Sequence, residues 1–157
     1  MIKFSITLSL AMLALSGCTH LQTGSATNTS TRGLLLCKEN ALCPIATVAW
    51  DESSKELLTI KVSLNSTTND YEIKQISFTD GQLRESFAAK TATKTDVVFG
   101  QHRSRNQIQV PRDMFKPFLH SKEISLEILT DKGTISNYIL KDGVEAPILK
   151  ELKSVYP

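Results

Sequence analysis

The 157-residue chain predicts a mainly β, antiparallel domain of six to eight strands, and three observations carry that prediction. From residue 45 onward, apolar residues recur at every second position through most runs, the period of a half-buried strand. Turn-forming sequences such as Asp80-Gly81 and Asp131-Lys132-Gly133 fall between those runs. Helical spacing occurs only near 111–118 and at the C-terminus, so strands do not alternate with helices as a parallel βαβ sheet requires. The expected architecture is a sandwich or strongly curved sheet with one short and one terminal helix.

The N-terminal segment has a different character. Lys3 and the free amino terminus supply positive charge, and Phe4 to Leu15 form an apolar run diluted by Ser and Thr. A membrane span needs about 20 apolar residues. This run stops at Ser16 and Gly17, so residues 1–17 read as a secretory signal. Leu15-Ser16-Gly17-Cys18 resembles the lipobox of bacterial lipoproteins, a resemblance covering about the first 20 residues. It implies that Cys18 is acylated with palmitate-type chains and becomes the new amino terminus. Two or more chains hold a protein stably on a bilayer, where one anchors it only marginally. Thr19 stands where an Asp favours inner-membrane retention, so the resemblance points to the periplasmic face of the outer membrane. The rival reading is an ordinary cleaved signal followed by an incidental cysteine.

From Cys18 to residue 33 the chain is dominated by Ser, Thr, Gly, Asn and Gln, which bury too little surface to offset ordering entropy. We expect a flexible tether, averaging roughly 20 Å end to end and reaching about 50 Å when extended. His20 reads as a solvated tether residue, and the sequon Asn28-Thr29-Ser30 has no eukaryotic context here. Residues 34–157 then form one domain with room for one core.

Three cysteines are odd for an exported protein until Cys18 is assigned to lipid, which leaves Cys37 and Cys43 as a pair. An oxidising periplasm favours a bridge between them. It closes "CKENALC", a short loop worth roughly 2 kcal/mol by the chain-entropy model. A redox pair usually has two intervening residues rather than five, and a zinc site needs four ligands where only distant histidines exist.

"CPIATVAW" predicts a first strand, and "ELLTIKVSL" places Leu58, Ile60, Val62 and Leu64 on one face. "YEIKQISFTDGQLRESF" predicts a hairpin around Asp80-Gly81, with a bulge where parity slips between Ile73 and Ile76. "ATKTDVVFG" and "RNQIQV" predict two further strands, joined by a polar loop "QHRSR". In "VPRDMFKPFL", Pro111 suits a first helical position and Asp113 the positive end of the dipole, while Pro117 keeps the helix short. "KEISLEILTDKGTISNYIL" predicts a hairpin with Ile124, Leu126 and Ile128 alternating, and "VEAPILKELKSVY" a closing amphipathic helix started by Pro147.

The sequence contains no G-x-S-x-G, H-E-x-x-H, P-loop or G-x-G-x-x-G segment, so no catalytic residue, metal ligand or cofactor site is expected. A cell-wall cysteine peptidase would need Cys37 or Cys43 free and close to His102 or His120. Glu123 and Glu127 sit at parity opposite the apolar face and read as solubilising charge. With Lys3 removed, 17 basic residues face 16 acidic ones, a near balance that excludes a strongly basic nucleic-acid surface.

Two clusters remain as binding candidates. His102, Arg103 and Arg105 crowd one polar run and read either as a solvated turn or as an anion site, since guanidinium forks pair with phosphate or carboxylate. Phe115, Phe118 and Leu119, with Met114, read as core first and as a partner surface if the short helix exposes them. Trp50 reads as a core lid before a sugar platform. The function expected is therefore a non-enzymatic, membrane-anchored envelope lipoprotein acting as an interaction or accessory subunit for another envelope protein. The alternative is a small ligand-binding module or an inhibitor of a cell-wall-degrading enzyme. An acylated cysteine with a compact β domain is similar to the small lysozyme-inhibitor lipoproteins, whose S-G-x-x-Y and Y-x-x-x-T-K-G segments this chain lacks; "TDKGTISNY" echoes the second only superficially. Docking would show as an exposed apolar patch or sheet edge, and ligand binding as a concave polar cleft.

Overall fold

The computed structural model describes residues 27–29, 34–51 and 56–156. The expected signal, Cys18 and the tether apart from Thr27–Thr29 lie outside the described residues. The strands in chain order are β1 (Thr27–Thr29), β2 (Ile45–Asp51), β3 (Leu57–Ser66), β4 (Ile73–Thr79), β5 (Arg84–Ala88), β6 (Lys94–Val98) and β7 (Gln101–Pro111). A 3-10 helix, Arg112–Phe118, then leads to β8 (Ile124–Thr130), β9 (Gly133–Lys141), β10 (Val144–Glu145) and the C-terminal helix α1 (Pro147–Ser154). Two antiparallel sheets result, ordered β1-β2-β3-β7-β6 and β10-β9-β8-β4-β5. The strand count exceeds the expected six to eight because β1 and β10 are three and two residues long, too short to show an alternation.

The core is what the alternation dictates. Leu58, Ile60, Val62 and Leu64 of β3 are all buried, and they share the core with Ala46, Val48 and Trp50 of β2. Ile76 and Phe78 of β4 and Ile124, Leu126 and Ile128 of β8 face them from the second sheet. The expected slip in β4 is present as a register shift between Ile73 and Gln75. The 3-10 helix carries the chain from one sheet to the other and closes that end of the sandwich: Phe115 stacks edge-on against Phe78 with centroids 6.0 Å apart, and Phe118 lies 5.5 Å from Phe115. Helix α1 buries Ile148, Leu149 and Leu152 and packs on β2 and β9.

Both long sides of the sandwich are laced across. On one side, Leu34 bridges Ile45 in the first sheet, and two residues later the Leu36 N–H donates to the Tyr138 carbonyl in the second at 2.8 Å. The Cys37–Cys43 disulfide folds the following residues back toward β2. On the other side, the crossover from β5 to β6 is held by Asn106, 7 % exposed at an inward position of β7. Its amide donates to the Ile73 carbonyl (3.3 Å), the Thr91 carbonyl (3.0 Å) and Thr93 Oγ1 (3.2 Å).

Two local expectations are corrected. Asp80-Gly81 is not a two-residue turn, because Thr79 pairs with Arg84 across a four-residue loop. Asp80 Oδ1 accepts the N–H groups of Gln82 and Leu83, and Gly81 supplies the positive φ of +89°. Thr27–Thr29, expected within a tether, pair with Ala49–Asp51 as an edge strand. Backbone hydrogen bonding to β2 does what these polar residues could not do by burial.

Candidate functional site

β6 ends the first sheet and has no buried residue, and its hairpin with β7 projects from that edge. Its strands meet at Val98 and Gln101, leaving a two-residue loop of Phe99 and Gly100 with φ of +49° and +77°. Two consecutive positive φ values are what a type I′ hairpin turn requires, and glycine meets the demand at no steric cost. Phenylalanine does not. Phe99 is nevertheless held there with its side chain fully exposed, and Val97 beside it is 62 % exposed.

The polar run that follows the turn is corrected accordingly. His102, Arg103 and Arg105 do not form a loop, because β7 begins at Gln101 and all three lie inside it. Strand parity puts His102 on one face and Arg103 and Arg105 on the other, so the three do not converge. Arg103 sits opposite Asp96 in register and donates Nε and Nη2 to its two carboxylate oxygens at 2.9 and 2.6 Å. Arg105 adds a bond to the same carboxylate at 2.9 Å. The Arg103 fork beside Asp96 holds that carboxyl below its ordinary value and raises the guanidinium in turn. The Arg103 fork, which one of the two readings gave to an external anion, is thus closed on an internal carboxylate. On the opposite face, His102 Nδ1 is shielded from solvent 3.3 Å from Asp70 Oδ1, within ion-pair reach but not aligned as a hydrogen bond.

Phe115 and Phe118 are fully buried and Met114 is 8 % exposed, so the core reading holds and the condition for the alternative partner surface, exposure of these rings, is not met. The 3-10 helix turns both rings inward, Phe115 against Phe78 and Phe118 against Phe115, and Leu119 packs half-buried against the same cluster. Trp50 is likewise buried, at 8 % exposure. Glu127 accepts from Arg84 at 2.7 Å on the outer face of the second sheet, and Glu123 is exposed. Cys37 and Cys43 are bonded to each other, which removes both thiols as nucleophiles. Among the described residues no group of three or more His, Cys, Asp or Glu is placed to hold a metal ion, and no helix is long and apolar enough to cross a membrane.

A groove of about 480 Å³ lies on the outer face of the first sheet, bounded on one flank by Ile45 and Thr47 and on the other by Thr91 and Ala92. Lys61, Lys94 and Arg105 line it, and no carboxylate does. Sequence reasoning missed both lysines, since they are 33 positions apart and only the β3-β7-β6 order brings them together. Phe99 was missed as well; the signal was present in "VVFG", an apolar run reaching a glycine with no polar turn residue before it. No protein-family model matches the sequence, no curated protein matches it, and no solved structure matches the fold.

Proposed function

We propose that this chain is a lipid-anchored envelope protein that performs no catalysis and docks another envelope protein through the tip of its β6–β7 hairpin. The anchor is the acylated Cys18 implied by the lipobox resemblance. The observation that carries the docking is Phe99: a fully exposed aromatic in a left-handed conformation on a hairpin braced by the Asp96 clamp. A left-handed φ costs a non-glycine residue about 1–2 kcal/mol, and an exposed ring recovers none of it within the monomer. Aromatic side chains seated in a partner's pocket are the usual anchors of protein interfaces, and a braced presentation lowers the ordering cost of binding. Val97 and the free edge of β6 extend the same surface.

A photocrosslinking residue at Val97, installed in the acylated protein in intact cells, tests this reading. One protein adduct at near-stoichiometric yield is expected, lost on Phe99→Asn and absent from a probe at Gln109 on the outer face of β7. Adducts to lipid alone, or a protein adduct insensitive to Phe99→Asn, reject docking through the tip. A ligand-binding role is compatible with docking, and the cationic groove favours it.

A further inference from the structure

The groove on the first sheet has a charge arrangement that the fold itself does not require. Lys94 stands directly opposite Arg105 in the β6–β7 ladder, and Arg105 is opposite Ser63 in the β3–β7 ladder. Lys61 lies two residues along β3 from Ser63 on the same face. Like charges directly opposite one another destabilise a strand pair. Asp96 relieves only the arginine side, through its bond to Arg105. Among the described residues neither Lys61 nor Lys94 has a carboxylate within 4.0 Å. Three cations therefore face one cavity that holds no counter-charge among its lining residues.

We propose that this groove binds a phosphorylated small molecule, with the phosphate held between Lys61, Lys94 and Arg105. A phosphomonoester carries about −1.5 to −2 charges at pH 7, which matches three cations better than a single carboxylate does. Arg105 commits one terminal nitrogen to Asp96 and keeps further N–H donors for an oxyanion. Ser63 and Thr91 also line the cavity, but their hydroxyls donate to Asn65 and Asn106, so the cations are the donors that face the phosphate. A volume of about 480 Å³ falls within the range of small-molecule sites, so the space extends beyond the phosphate to a compact attached group such as a sugar or glycerol. This site shares Arg105 with the Asp96 clamp that braces the hairpin, but it uses neither Phe99 nor Val97, the residues that would touch the docked partner.

The test uses the full chain and titrates it with inorganic phosphate, glycerol phosphate and acetate while backbone amide shifts are followed. Saturable shifts at Ser63, Lys94 and Arg105 are expected with both phosphates, stronger for glycerol phosphate and weakened by added salt. Lys61→Gln and Lys94→Gln should each weaken binding by about tenfold, the size of one lost charge-assisted contact, whereas Lys94→Arg retains it. Without any anion present, Lys94→Gln should raise the melting temperature, because the like-charge pair is gone; this separates a binding lysine from a structural one. No saturable shift at the three residues, acetate binding as tightly as phosphate, or undiminished binding in the Lys61→Gln/Lys94→Gln double variant overturns the proposal. Shifts confined to other residues do the same.

Discussion

At Phe99 two demands conflict, since the turn asks for Asn, Asp or Gly and the chain supplies a large aromatic. Phe99→Asn would create an Asn-Gly loop, the preferred type I′ pair. Because the ring is fully exposed, its removal forfeits no buried surface. The variant is therefore expected to be more stable by about 1 kcal/mol, read as a higher urea midpoint at unchanged slope, while losing the partner. An equal or lower midpoint would mean that the ring already contributes to the isolated fold. Asp96 sets a second residue-scale expectation. Its carboxyl is held low chiefly by the Arg103 hydrogen bonds, and Asp80 and Asp131 are held low chiefly by backbone N–H donors from Leu83 and Glu72. A group whose folded value is depressed contributes stability that is present above its unfolded value and lost as pH falls through the folded one. Stability should thus decline below about pH 4, and Asp96→Asn should flatten part of that decline; parallel pH profiles for the two proteins would remove Asp96 from the account.

At the scale of elements, the alternation of period two exposed most of the fold, and the misreadings share one cause. β7 was legible only from Arg105 to Val110, because its inward positions include Ser104 and Asn106, which do not look like core. Parity nevertheless holds: Ser104, Asn106, Ile108 and Val110 are all buried, the first two because they bond backbone groups of neighbouring loops. Polar residues at core parity thus disguised a strand as a loop and moved the apparent turn from Phe99-Gly100 to "QHRSR". The groove was illegible for a different reason, since Lys61 and Lys94 meet only through strand order, which no local pattern encodes. The disulfide was legible by counting, and its energetic role follows from where it sits. Replacing Cys37 and Cys43 by Ser is expected to cost about 2 kcal/mol. Amide exchange should accelerate first at Leu36, whose N–H crosses to Tyr138. Uniform acceleration across both sheets would instead make the loop part of the global unfolding unit.

At the scale of the whole molecule, the entry of the chain and the hairpin tip lie at opposite ends of the first sheet. Thr27 pairs with Asp51, and Trp50 is opposite Leu58, so the entry is level with Leu57 and hence with its partner Pro111. β7 runs from there to Gln101, ten residue steps, about 33 Å at strand rise. Pairing of Thr27–Thr29 also shortens the connection to Cys18: nine residues reach at most about 30 Å, where a tether running to residue 33 would reach about 50 Å. If Cys18 is acylated as proposed, the Leu57 end would lie nearer the bilayer than Phe99, and the proposed docking tip would face away from the lipid. Fluorophores on Leu57→Cys and Gln101→Cys in the acylated chain on vesicles, with acceptors in the headgroups, measure this arrangement. Energy transfer should be higher from position 57 than from position 101. Equal transfer, or higher transfer from 101, would place the hairpin against the membrane and assign Phe99 to the bilayer instead of a partner.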